Sequence, residues 1–187
     1  MKVIRNFISE KKISNMISSM NYFYENNLIV PDNMVKECPS FYGVFNDELY
    51  LWHREIEKIL DVELFPTYTY ARIYQKNNIL IPHTDRSECE ISFTMNLTAD
   101  GGIWPFYLLL NNKVEEILLN PGDICIYNGI TEMHWRLALE QDYCYQAFFH
   151  FVKSNGMYSL QKYDGKEDNL ATRSEIIEIQ KQKLKNV

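Results

Sequence analysis

The chain reads as mainly β with flanking helices. It is expected to form a jelly roll of about eight strands, buttressed by helices from its N-terminal third. Three observations predict this. Two early stretches carry apolar residues at helical spacing. Residues 68–152 instead break into short β-prone runs separated by turn signals. Thirteen Tyr and ten Phe suit pleated, half-buried surfaces.

The first helix is expected over residues 7–25, where Ile8, Ile13, Met16, Ile17, Met20 and Phe23 recur at helical spacing. Residues 47–60 repeat the pattern with Leu49, Trp52, Ile56 and Ile59 or Leu60. Pro31, Pro39 and Gly43 mark a loop between them. Eight strand-like runs follow, at 68–75, 80–85, 90–97, 106–110, 115–119, 123–127, 133–139 and 143–152. Turn-forming residues separate them, among them Asp100-Gly101-Gly102, Asn120-Pro121-Gly122 and Asn128-Gly129. The tail is polar from Asn155 to about Thr172, and 174–185 has the pattern of a short helix. One domain is expected over 1–187: helical support in 1–67, the β core in 68–152 and a tail in 153–187.

Composition narrows the function. A net charge of −6 disfavours a general nucleic-acid or membrane-surface binder, which needs a basic face. No stretch reaches the roughly 20 apolar residues of a membrane span, and the start lacks an apolar signal region. Cys38, Cys89, Cys125 and Cys144 form no CxxC pair, so a structural zinc site is not expected. Buried free thiols are expected at Cys89, Cys125 and Cys144, in a reducing, cytoplasmic setting.

The chemistry-bearing residues are His83 and Asp85, in Pro82-His83-Thr84-Asp85, and His134, in His134-Trp135-Arg136. On a strand, His83 and Asp85 would share a face. Two imidazoles and one carboxylate on one side of Fe(II) leave the other side open for substrate and O2. His53 is expected on the polar side of the second helix, and His150 is expected to be structural. Asn120-Pro121-Gly122-Asp123 reads as a tight architectural turn.

Four blocks give the chain a family resemblance. They are Tyr70-Ala71-Arg72-Ile73-Tyr74, Pro82-His83-Thr84-Asp85-Arg86, residues 119–127 around Asn120-Pro121-Gly122-Asp123, and His134-Trp135-Arg136. With them the chain resembles the 2-oxoglutarate- and Fe(II)-dependent oxygenases, in particular the prolyl 4-hydroxylase-like branch. The resemblance implies a cupin-like double-stranded β-helix with iron held by His83, Asp85 and His134. It also implies hydroxylation of a second substrate, coupled to decarboxylation of 2-oxoglutarate by O2 to succinate and CO2.

One departure stands out. The family usually carries a Lys or Arg on the last strand to pair with the far carboxylate of 2-oxoglutarate. Here that strand reads Cys144-Tyr145-Gln146-Ala147-Phe148-Phe149, and a buried unpaired carboxylate is costly. Arg136 is the first candidate to replace it, because it follows His134 by two residues. Arg72 is the second and Arg86 the third. The bland alternative is that Arg136 salt-bridges a surface acid such as Glu140. Tyr74 resembles the tyrosine that relatives aim at the cosubstrate, and Thr94 and Asn96 share a strand face that could line the same pocket.

The primary substrate is not legible. A peptide or protein side chain and a small molecule both suit the branch. Loops 42–47, 76–79, 86–89 and 100–104 are the expected contacts. Two other readings stay open: an iron enzyme that does not use 2-oxoglutarate, favoured by the missing late-strand cation, and a non-catalytic jelly-roll binding module.

Overall fold

The computed structural model describes residues 1–98, 102–166 and 169–185. Fourteen elements matter here. Strand β1 (Lys2–Ile4) precedes helix α1 (Glu10–Glu25), and β2 (Ser40–Tyr42) precedes α2 (Asn46–Leu60). Then come β3 (Leu64–Gln75), β4 (Leu80–His83), β5 (Ile91–Asn96), β6 (Phe106–Leu110) and β7 (Lys113–Ile117). Strands β8 (Ile124–Tyr127), β9 (His134–Arg136) and β10 (Tyr143–Lys153) complete the core. A single turn α3 (Lys162–Gly165) and helix α4 (Arg173–Lys185) close the chain.

The eight runs expected from the sequence correspond in order to β3 through β10. Strands β1 and β2 are additions, each three residues long, too short to show a period. All strand pairs are antiparallel. The larger sheet runs β1-β8-β5-β10-β3-β2 and the smaller β4-β9-β6-β7. From β3 to β10 the strands alternate between the two sheets, as in a jelly roll, except that β6 and β7 form a hairpin within the smaller one.

Helix α1 starts later than expected because Ser9 caps it, its side chain accepting a hydrogen bond from the Lys12 N–H. Helix α2 ends where Asp61 adopts the left-handed conformation. Both helices lay apolar faces on the larger sheet. Phe149 of β10 stacks on Phe93 of β5 at 4.5 Å between ring centroids and meets Trp52 of α2 at 5.2 Å. Met16, Met20 and Phe23 of α1 join the same core. Each such side chain contributes about 1.5–3 kcal/mol when fully buried. His53 is not on the polar side of α2 as expected. It is half-buried, one ring nitrogen lies 2.7 Å from the Leu64 carbonyl, and its ring stacks on Phe151.

Strand β10 is central, pairing with β3 on one side and β5 on the other. Phe149 and Phe151 face the helices, while Gln146, Phe148 and His150 face the other way, as strand alternation requires. All four cysteines are free and buried. No described helix is long and apolar enough to cross a membrane.

Candidate metal centre

His83 ends β4 and His134 opens β9, and the two are direct cross-strand partners. Their ring centroids lie 4.2 Å apart. Asp85 reaches them by a different route from the one expected. Strand β4 stops at His83, so Asp85 does not share a strand face with it. A backbone bond from the Asp85 N–H to the Gly129 carbonyl (2.8 Å) fixes the turn instead. One carboxylate oxygen of Asp85 then lies 3.5 Å from His83 Nε2 and 3.6 Å from His134 Nε2.

The second ring nitrogens settle the tautomers. His83 Nδ1 lies 2.8 Å from the Ile81 carbonyl, and His134 Nδ1 lies 2.9 Å from the Glu132 carbonyl. A carbonyl only accepts, so each Nδ1 carries a proton, and each Nε2 faces Asp85. Three lone-pair donors therefore converge within 4.8 Å of one another. Burial raises the pKa of the Asp85 carboxyl, but the facing His134 and His83 rings outweigh it and hold it far below the usual range. His134 is packed between the rings of Tyr127 (4.8 Å) and Phe106 (5.7 Å).

A cavity of about 380 Å³ opens onto the three residues. Its wall includes Tyr42, Tyr68, Tyr70, Arg72, Arg86, Phe148 and His150. Of the loops expected to meet substrate, 42–47 supplies Tyr42 and 86–89 supplies Arg86 and Cys89, while 76–79 supplies none. Asp100 and Gly101, in the loop 100–104, lie outside the described residues.

The candidate cations differ in how they are used. Arg72 lines the cavity, but its charge is committed: Nε and Nη2 donate to Asp32 (2.6 and 3.3 Å), and Nη1 donates to the Tyr74 hydroxyl (3.0 Å). Arg86 is half-exposed and donates to Asp164 at 2.6 Å. Arg136 is 1% exposed and makes no salt bridge with Glu140 or with any other described carboxylate. It donates to the Trp104 carbonyl (2.7 Å) and to Gln146 Oε1 (3.1 Å), and its Nε has no partner. Aromatic faces of Trp104 and Phe106 flank it at 4.9 and 5.0 Å. Burial disfavours its charge.

Tyr74, Thr94 and Asn96 lie behind the open cavity and are not part of its wall. Asn96 is held by the Leu119 carbonyl and by Gln146, and the Thr94 hydroxyl donates to Gln146 Oε1. Arg136 and Gln146 likewise lie outside the cavity wall, where Thr94 and Asn96 bond Gln146 and Tyr74 packs edge-on against Trp104, whose carbonyl accepts from Arg136. Gln146 itself, Asp32 and Gly129 escaped sequence reasoning, and His150, expected to be structural, lines the cavity. The signal for Gln146 and His150 was present: they are polar residues sharing one face of an otherwise apolar strand.

No family model matches the chain, and no curated protein matches it in sequence. Solved structures do. A Pseudomonas putida prolyl-4-hydroxylase superposes with a TM-score of 0.64 at 8% identity, over 80% of this chain and 90% of that one. HygX from Streptomyces hygroscopicus, solved with nickel and 2-oxoglutarate, gives 0.62 at 12% identity, over 82% of each chain. The α-ketoglutarate-dependent epimerase SnoN from nogalamycin biosynthesis gives 0.66 at 9%, over 91% of this chain and 87% of that one. The chain thus has the double-stranded β-helix fold that these enzymes share.

Proposed function

We propose that this chain is an Fe(II)- and 2-oxoglutarate-dependent dioxygenase of the hydroxylase type. One observation carries the reading: two imidazole Nε2 atoms and a carboxylate meet at one point beside an open cavity, each ring held through Nδ1 by a carbonyl. That donor set suits Fe(II) and leaves positions free. His83, Asp85 and His134 would hold the metal. With 2-oxoglutarate and O2, bound Fe(II) supplies the oxidising power for hydroxylation, yielding succinate and CO2.

The chain's own residues do the positioning. The Ile81 and Glu132 carbonyls fix both imidazole tautomers. Asp85 remains anionic at neutral pH. Arg136 would pair with the far carboxylate of 2-oxoglutarate, supported by Gln146. Its buried guanidinium has a free Nε and no described carboxylate partner, whereas Arg72 already serves Asp32. The cation expected on the last strand would then be displaced to β9, with Gln146 bridging from β10. Tyr74, Thr94 and Asn96 would shape that end of the site. The substrate would enter past Tyr42, Tyr70 and Phe148. It would be a peptide or protein side chain or a small molecule, and both cavity-lining arginines being paired favours an uncharged reacting portion.

The test needs no substrate. Fe(II) and then 2-oxoglutarate are added anaerobically, and a visible metal-to-ligand charge-transfer band is expected only with both. His134→Ala and Asp85→Ala are expected to remove it. Iron binding without the band would favour an iron enzyme that does not use 2-oxoglutarate, and no iron binding by folded protein would sink the metal reading.

A further inference from the structure

We propose that Asp85, Cys89 and His150 form a second cation site, selective for thiophilic ions such as Zn2+, that shares Asp85 with the first. The donor atoms of these three residues lie within 4.8 Å of one another. All three line the cavity, so an ion has a path to them. Among the described residues Cys89 is the only cysteine in such a cluster.

The surroundings prepare each ligand. The Ser92 hydroxyl donates to the Cys89 carbonyl (3.1 Å) and lies 2.8 Å from His150 Nδ1. Its single proton is thereby spent, so His150 Nδ1–H is the donor to Ser92 and Nε2 keeps a lone pair. His83 and His134 are locked in the same tautomer, through carbonyls. A ring held through one nitrogen with the other free is the usual arrangement of a metal-binding histidine. Cys89 Sγ lies 3.1 Å from the Tyr68 hydroxyl. When an ion binds, the thiol proton leaves through the cavity to solvent, and the Tyr68 O–H donates to the resulting thiolate.

The two sites differ in softness. Two nitrogens and one oxygen suit Fe(II), whereas sulfur, nitrogen and oxygen suit Zn2+. Asp85 cannot serve both fully, so an ion on Cys89 and His150 draws the carboxylate from the first site. The inference is that Zn2+ inhibits from beside the iron site as well as by replacing iron in it.

Co2+ is the probe, because a cobalt–thiolate bond gives a near-ultraviolet charge-transfer band that nitrogen and oxygen ligands do not. Anaerobic titration of the metal-free, full-length protein is expected to produce that band. Cys89→Ser is expected to lose it, and His150→Gln to weaken Co2+ binding at this site by at least about tenfold. His134→Ala, which dismantles only the first site, is expected to keep the band. That variant separates failure of this site from failure of the iron reading. No band in the wild-type protein, or a band that survives in folded Cys89→Ser, overturns the proposal. Should Cys89→Ser not fold, the wild-type titration together with His150→Gln decides, and a band of unchanged affinity in His150→Gln refutes it.

Discussion

Replacing Gly129 with alanine is expected to damage the proposed metal centre without changing any of its proposed ligands. A Cβ at this position would lie 2.5 Å from the Cys89 carbonyl oxygen, 2.6 Å from Asp85 Oδ2 and 2.9 Å from Ser92 Oγ. Real Cβ atoms essentially never come within 3.0 Å of such neighbours, so the surroundings must yield by about half an ångström. Two of the three obstacles are poorly placed to move. The Cys89 carbonyl is backbone, and Asp85 is tied to Gly129 itself through its N–H. The strain falls on the carboxylate. Overpacking of this kind costs about 1–3 kcal/mol, and a displaced ligand environment typically costs metal affinity about 10–100-fold. The assay is calorimetric titration of metal into wild-type and Gly129→Ala protein, with thermal melting alongside. Melting should fall by about 2–4 °C for each kcal/mol. Wild-type metal affinity in a normally folded variant would refute the claim that Gly129 leaves room for the Asp85 carboxylate.

Three further outcomes are expected. Arg136→Met should raise the Michaelis constant for 2-oxoglutarate about 10- to 100-fold, as expected for a lost charge-assisted bond, with iron affinity unchanged. Because it removes an uncompensated buried charge, it should also raise the melting temperature of cosubstrate-free protein; a lowered one would count against the reading. Asp32→Asn should cost about 3 kcal/mol at neutral pH by stranding Arg72. Burial would raise the Asp32 pKa, but Arg72 holds it down at about 2. Its stabilisation is therefore complete above about pH 4 and is lost as pH falls through about 2. Urea melts of the two proteins should converge over that window, and a constant gap would exclude the pair as its cause. Phe149→Ala should cost about 3–5 kcal/mol in urea denaturation, because its ring joins Phe93 to Trp52; a loss below about 1 kcal/mol would mean that α2 does not depend on this contact.

The β core was legible because alternation is local. Runs such as 106–110 and 143–152 carry their period within themselves. Strands β1 and β2 were not, since three residues hold no period and their sheet partners, Ile124–Tyr127 and Leu64–Gln75, lie far along the chain. The end of β4 at His83 was hidden for a similar reason: the bond that turns Asp85 inward comes from Gly129, far along the chain. The convergence of His83, Asp85 and His134 followed from strand order, which the pattern of runs supplies. Commitments between side chains did not follow. Nothing near Arg72 in sequence announces Asp32, and nothing near Asp85 announces that His150 stands beside it. Gln146 could have been read as a polar residue facing inward, but its bond to Arg136 depends on β9 and β10 lying in facing sheets.

Strand β10 also limits how this chain can change in length. Its odd-numbered phenylalanines hold the helices; of the opposite face, Phe148 and His150 line the cavity and Gln146 bonds Arg136 behind it. Adding or deleting one residue before Gln146, within the strand, would exchange the two sets. Phe149 would swing into the cavity, and Gln146 and His150 would be pressed unpaired into the apolar core. The irregularity of pairing between His150 and Phe151 comes only after the last of these cavity-facing residues. Length variation among descendants of this sequence is therefore expected at 137–142 or beyond Lys153, and not between Tyr143 and His150.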